Sequence, residues 1–181
     1  GMLHGLTFGG DGTASYANRW IRSKGLEAEI EAGEALFGGI SEFRLPPDDV
    51  FARVGPLKNT ANTHVVRHAG RILALLEACG PTEIAPDLST IGEFDFGGAL
   101  QGPMTAHPKV DPVSGDVHAV AYHWALPNLE YIVIGADGRV RERKPLTVRR
   151  ATEGELAEHA KNLAGIDKES KGACIWLPKP E

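Results

Sequence analysis

The stretch from Thr105 to Asp116 carries the residue types in this chain best suited to chemistry. Pro108 disfavours helical backbone in the residue before it, so His107 is predicted to lie at the end of a strand, in an extended conformation. Pro112 and Gly115 supply turn chemistry just beyond it. A histidine on a rigid extended backbone can aim a neutral imidazole nitrogen at a fixed point, as a metal ligand must. Alone, the pattern leaves two interpretations open: a metal ligand, or a partly buried histidine bonded to backbone.

Short strands separated by turn residues must position this stretch, and this pattern is typical of sandwiches, barrels or propellers. Helical spacing predicts one inserted helix over 26–37, with its four glutamates on a solvated face, and residues 41–56 are predicted to be a loop. The tail contains a capping box at Thr152 to Glu155, which predicts a C-terminal helix, followed by a short strand over 173–177. Strands are predicted over 2–8, 14–22, 63–68, 71–78, 82–85, 93–96, 117–124, 130–136 and 140–144.

Composition restricts the function classes. The 181 residues suffice for one domain with a sizeable core. With 19 basic and 24 acidic residues the net charge is -5, which argues against a nucleic-acid partner. Cys79 and Cys174 lie far apart and are interpreted as reduced thiols of a cytoplasmic protein. No apolar run is long enough to span a membrane, so at most peripheral membrane contact is expected.

The stretch 105–116, with the sequence TAHPKVDPVSGD, resembles the segment of the carotenoid oxygenase family that carries the first iron-binding histidine. Four further segments resemble the family in the same order: 2–8, 16–22, 58–63 and 94–98. The resemblance covers roughly residues 2–146 and concerns the N-terminal part of the family only.

This resemblance implies a mainly β fold that is part of a seven-bladed β-propeller with iron on its axis. About two to three blades fit in this chain, together with the short inserted helix and the C-terminal helix. Residues 1–150 are thus expected to form a partial propeller of carotenoid oxygenase type. Residues 151–181 are an unmatched tail, predicted as a helix and then a short strand.

The resemblance also implies a cofactor, Fe(II), held by four histidines, of which His107 alone maps onto this chain. Glu77 stands where the family carries a glutamate that accepts a hydrogen bond from a ligand histidine, although from a different histidine than the one at 107. Leu76 replaces the lysine with which the stilbene-cleaving branch meets a phenolic oxygen, so an apolar substrate is favoured. The remaining histidines of the strand region are predicted to be structural: His4, His64, His68, His118 and His123.

Two functions follow from different classes. The first is a non-haem Fe(II) dioxygenase that uses O₂ to cleave a conjugated C=C bond of a carotenoid or apocarotenoid. The alternative is a truncated, non-catalytic propeller fragment that acts as a binding or assembly module, because one ligand histidine cannot build a four-histidine centre. An incomplete propeller leaves unpaired sheet edges, so a homo-oligomer or a complementing second chain is expected.

Overall fold

The computed structural model describes residues 1–39, 42, 44–100, 102–122, 128–147 and 152–155. The chain divides into two compact units, Gly1–Thr147 and Val148–Glu181. The elements named below all belong to the first unit. The strands are Met2–Phe8 (β1), Ala14–Trp20 (β2), His64–His68 (β3), Arg71–Leu75 (β4), Thr82–Ile84 (β5), Thr90–Glu93 (β6), Lys109–Val110 (β7), Val117–Tyr122 (β8), Asn128–Ile134 (β9) and Val140–Thr147 (β10), and the helices are Lys24–Ala32 (α1) and Asp48–Val54 (α2).

These strands form three antiparallel sheets. Strands β1 and β2 make a two-stranded hairpin, β3 to β6 make a four-stranded sheet, and β7 to β10 make a second one. Within each four-stranded sheet, neighbouring strands follow the order of the chain. The predicted pairings of the first hairpin, of β3 with β4 and of β8 with β9 are confirmed. The fold is mainly β, as predicted.

The inserted helix is shorter and begins earlier than the prediction of 26–37. The Ser23 hydroxyl accepts a hydrogen bond from the Leu26 N–H at 3.4 Å, so Ser23 is the N-cap of α1. Gly33 has a φ of 71°, in the left-handed region that glycine adopts without strain, and it ends the helix there.

Two other local predictions were wrong. Residues 41–56 were expected to be a loop, but α2 occupies 48–54. Pro47 immediately precedes it, and Asp48 and Asp49 suit the positive end of its dipole. The strand expected over 93–96 lies at 90–93, where β6 pairs with β5. Seven-residue helices and four-residue strands are too short to give a clear periodic signal.

Glu29 was assigned with three other glutamates to a solvated face, and this was wrong. Its side chain is only 13% exposed, forms an ion pair with Lys58, and accepts hydrogen bonds from the N–H groups of Leu36 and Phe37 at 3.1 and 3.3 Å. Burial by itself raises the pKa of Glu29, but these hydrogen bonds outweigh it and hold the pKa below the ordinary value. Glu29 therefore ties α1 to the segment that follows it.

The main core lies between the two four-stranded sheets. Leu73 and Leu75 of β4 belong to one buried cluster with residues of β8 and β9, and with Met104 and Ala106. Burying one such Leu or Ile side chain contributes about 1.5–3 kcal/mol. The members from β8 and β9 are Val117, Ala119, Ala121, Ile132 and Ile134.

The capping box of the tail is present. The Thr152 N–H donates to Glu155 Oε2 at 2.8 Å, and the Glu155 N–H donates to Thr152 Oγ1 at 3.3 Å. The rest of the predicted tail helix and the strand over 173–177 lie outside the described residues, as do Cys174, His123 and His159. No helix in the described part of the chain is long and apolar enough to cross a membrane.

Candidate functional site

In space, residues 104–107 lie between strand β8 and the segment that follows β4. The Met104 N–H donates to the carbonyl of Cys79 at 3.1 Å, and these two residues form an isolated antiparallel bridge. The Thr105 N–H donates to the carbonyl of Val120, in β8, at 2.7 Å. Ala106 is fully buried in the main core. Backbone bonds and core packing therefore hold the residues immediately before His107 on two sides.

His107 itself lies in a bend before β7, not at the end of a strand as predicted. The restriction that Pro108 imposes acts on the backbone conformation, but a strand also needs a paired neighbour, and pairing begins only at Lys109. The turn predicted beyond it is present, since the Gly115 N–H donates to the carbonyl of Asp111 at 2.8 Å and Gly115 has a φ of 74°. The imidazole is 64% exposed.

The structure brings Glu77, Thr105 and His107 together. Glu77 follows the end of β4 by two residues, and its Oε1 accepts a hydrogen bond from the Thr105 hydroxyl at 2.9 Å. The same hydroxyl accepts a hydrogen bond from the His107 N–H at 3.1 Å. His107 Nε2 lies 3.8 Å from Glu77 Oε1, near the carboxylate but beyond hydrogen-bond distance. Sequence reasoning had assigned these two residues to different parts of a site.

The second oxygen of this carboxylate has no partner among the described residues. Glu77 Oε2 is buried and makes no hydrogen bond within that part of the chain, although the side chain as a whole is 40% exposed. A buried polar atom without a partner costs folding free energy, so it calls for a functional explanation. Oε2 belongs to the same carboxylate whose other oxygen, Oε1, lies 3.8 Å from His107 Nε2.

Thr105 was missed as a candidate in the sequence. It is 7% exposed, and its hydroxyl is the only atom that bonds both Glu77 and His107 in the hydrogen bonds described above. A signal did exist, because Thr side chains commonly accept a bond from the backbone N–H two residues later. The bond across to Glu77 had no signal, since it joins residues 28 positions apart.

Three of the histidines predicted to be structural have structural partners. His4 Nδ1 lies 2.5 Å from the hydroxyl of Tyr16, and His118 Nδ1 lies 2.6 Å from that of Tyr131. His68 Nε2 lies 2.8 Å from the carbonyl of Gly135. These nitrogens have protein partners and are not free to bind a metal.

A cleft of about 340 Å³ opens near the site, but neither Glu77 nor His107 lines it. Cys79 lies on its wall, and burial, aided by the nearby charge of Glu93, raises the pKa of this thiol to about 11. A thiol with such a pKa is protonated at neutral pH and is a poor nucleophile and metal ligand.

The donors present fit one ligand position but do not build a metal centre by themselves. Among the described residues, no group of three or more His, Cys, Asp or Glu side chains is placed to hold a metal ion. His107 has an exposed imidazole, and Glu77 Oε1, 3.8 Å from its Nε2, already accepts the Thr105 hydrogen bond. A four-histidine centre would need ligands from outside the described part of this chain.

The chain is similar to oxygenases throughout this unit. The family model described as retinal pigment epithelial membrane protein matches residues 1–155. A carotenoid cleavage oxygenase of Mycobacterium tuberculosis is 38% identical over 149 residues, which cover 81% of this chain and 27% of the relative. Carotenoid 9,10(9',10')-cleavage dioxygenase 1 of Arabidopsis thaliana is 35% identical over 164 residues, which cover 82% of this chain and 30% of the relative.

Solved structures agree. The lignostilbene dioxygenase of Pseudomonas brassicacearum superposes with a TM-score of 0.71 at 29% identity, covering 83% of this chain and 32% of that one. A mutant of the Synechocystis apocarotenoid oxygenase superposes with a TM-score of 0.67 at 27% identity, covering 81% and 33%.

The sheets of the first unit are therefore part of a β-propeller of oxygenase type, since these neighbours have a seven-bladed β-propeller fold. The chain belongs to the carotenoid cleavage oxygenase family. It spans less than a third of the length of the two curated relatives described above.

Proposed function

We propose that this chain supplies one iron ligand and its supporting residues to a non-haem Fe(II) dioxygenase that cleaves a conjugated C=C bond of a carotenoid or apocarotenoid. The observation that carries the proposal is the cluster of Glu77, Thr105 and His107, of which Thr105 and His107 lie in the stretch that resembles the family's first ligand segment. The relatives whose names describe carotenoid cleavage support the substrate class.

In this proposal His107 offers a neutral imidazole nitrogen to the metal, and Glu77 offers Oε2 to a histidine from outside the described residues. Such a carboxylate fixes the tautomer and orientation of the imidazole that it contacts. Bound Fe(II) would supply the activation of O₂ that adds both oxygen atoms across the double bond. The main core beneath residues 104–106 keeps the ligand segment in place.

Leu76 supports an apolar substrate. The similar solved structures include a lignostilbene dioxygenase and an apocarotenoid oxygenase. Their names thus indicate a phenolic substrate for one and a polyene substrate for the other. An aliphatic side chain cannot meet a phenolic oxygen, whereas it suits a polyene. We therefore favour a polyene over a hydroxystilbene.

A chimera tests the proposal. Residues 1–150 would replace the matched segment of the Mycobacterium tuberculosis oxygenase, and the purified protein would be checked for folding by circular dichroism. We expect bound iron and cleavage of an apocarotenoid, both lost in the His107→Ala chimera and both kept in a His64→Ala control. A folded chimera whose iron content and activity are unchanged by His107→Ala would refute the role of His107.

In the same protein, Leu76→Lys should move the substrate preference toward a hydroxystilbene.

The alternative, a non-catalytic binding or assembly module, is favoured by the first hairpin. Residues of β1 and β2 that face the same side leave large apolar side chains exposed by 58% to 76%. Exposed apolar patches of this kind mark interaction surfaces. The side chains are Leu6, Phe8, Tyr16 and Trp20. Catalysis by the chimera would favour the oxygenase, whereas a stable assembly without His107-dependent iron binding would favour the module.

A further inference from the structure

The Thr105 hydroxyl occupies a fixed position. Thr105 is 7% exposed, and its backbone N–H is bonded to the carbonyl of Val120 at 2.7 Å. The residues on either side of it, Met104 and Ala106, are buried in the main core. A β-branched side chain on an anchored backbone has few accessible rotamers. The position of the hydroxyl oxygen is therefore fixed by the backbone and the core around it.

Donor and acceptor counting decides what this hydroxyl does. A threonine hydroxyl has one hydrogen to donate and lone pairs to accept with. The His107 N–H can only donate, so the hydroxyl accepts that bond at 3.1 Å and directs its own hydrogen to Glu77 Oε1 at 2.9 Å. The two bonds orient each other. The bond to Glu77 uses the hydrogen of the hydroxyl, and the bond from His107 uses a lone pair of its oxygen.

We propose that Thr105 is a positioning residue that couples the orientation of the Glu77 carboxylate to the backbone of His107. Its bond to Oε1 leaves Oε2 as the free acceptor, and its bond to the N–H holds the bend from which the imidazole projects. In the proposed function, this coupling would align the ligand His107 and the supporting carboxylate of Glu77 around one metal. That use of the coupling rests on the proposed function. The coupling itself is a property of the metal-free chain.

Amide hydrogen exchange measures the coupling directly. The rate at the His107 N–H would be followed by NMR in the metal-free chain, in wild type, Thr105→Val, Thr105→Ser and Glu77→Ala. Valine keeps the shape of threonine but has no hydroxyl, so we expect exchange at His107 to rise by about tenfold or more. Serine keeps the hydroxyl and should restore protection to within about threefold of wild type.

The Glu77→Ala variant separates coupling from a simple local bond. Glu77 does not touch the His107 N–H, yet its removal frees the hydroxyl to rotate, so exchange at His107 should still rise by about threefold or more. Thr82→Val is the matched control, because Thr82 is a buried threonine whose hydroxyl lies within 3.4 Å of the Asn59 amide nitrogen, in the other sheet. It should leave exchange at His107 within twofold of wild type.

Three results would overturn the proposal: unchanged exchange in Thr105→Val, equal behaviour of the valine and serine variants, or unchanged exchange in Glu77→Ala. If Thr105→Val does not fold, the Glu77→Ala result decides alone. An anaerobic Fe(II) titration of the same substitutions, made in the chimera with the Mycobacterium tuberculosis oxygenase, tests the proposed function separately from the positioning role. If that chimera shows no iron binding that depends on His107 while the exchange results hold, the proposed function fails and the positioning role stands. If binding is found, Thr105→Val should weaken it by about 10- to 100-fold and Thr105→Ser should restore it.

Discussion

Replacing Glu77 by glutamine should stabilise the metal-free chain. Glu77 Oε2 is buried without a hydrogen-bond partner in the part of the chain that the structure describes. Glutamine has nearly the same shape, its amide oxygen can accept the Thr105 bond, and it carries no charge. The substitution keeps the bond that is made and replaces a charged oxygen by a neutral amide nitrogen. The two hydrogens of that nitrogen are left without a partner among the described residues, but an unpaired amide costs less to bury than an unpaired charge.

The size of the effect follows from the environment of the side chain. Leaving a buried acceptor unpaired costs about 1–3 kcal/mol. Because the amide nitrogen of glutamine is left unpaired at the same place, only part of this cost is recovered, and we expect the lower end, about 1 kcal/mol. For a chain of this length that gain raises Tm by about 2–4 °C.

Thermal and urea unfolding of metal-free wild type and Glu77→Gln would measure the difference. Glu83→Gln is the matched control, because the mostly buried Glu83 carboxylate accepts a hydrogen bond from Arg71 at 2.6 Å. It should lose about 0.5–1 kcal/mol, the opposite sign. Destabilisation of Glu77→Gln by as much as the control would mean that both Glu77 oxygens are paired and that the site stores no such cost.

Three further predictions concern the rest of the chain. Glu29→Ala should destabilise it by about 2–3 kcal/mol in urea unfolding, whereas Glu31→Ala, at an exposed ion pair, should change it by less than about 0.5 kcal/mol. Because the pKa of Glu29 is lowered by folding, its contribution is complete above the ordinary value of 4.5 and is lost as pH falls through the folded value, so equal stability of wild type and Glu29→Ala at pH 7 would contradict it. The isolated chain should bind Fe(II) weakly and should not cleave carotenoids; stoichiometric iron kept through gel filtration and lost on His107→Ala would show otherwise. Light scattering at micromolar concentration should give a dimer or larger assembly that Trp20→Ser and Leu6→Ser shift toward monomer, and a monomeric wild type would refute this.

Local sequence patterns predicted most strands well, because apolar alternation and turn residues are signals carried by a few consecutive residues. Alternating apolar residues bounded by turns placed β3 with β4 and β8 with β9, and Ala69 and Gly70 made the turn between the first pair. The pattern failed for α2 and for the bounds of α1, where capping by Ser23 and Gly33 outweighed the apolar spacing.

The sequence by itself determined the family and the mainly β fold, and it singled out Glu77 and His107 as candidate site residues. It did so because motif identity and strand alternation are properties of short stretches. Only the tertiary structure decided that the two residues lie together, that Thr105 joins them, and that one oxygen of Glu77 has no hydrogen-bond partner among the described residues. These facts depend on contacts between residues about thirty positions apart. The spacing of residues along the chain does not specify which distant residues come into contact.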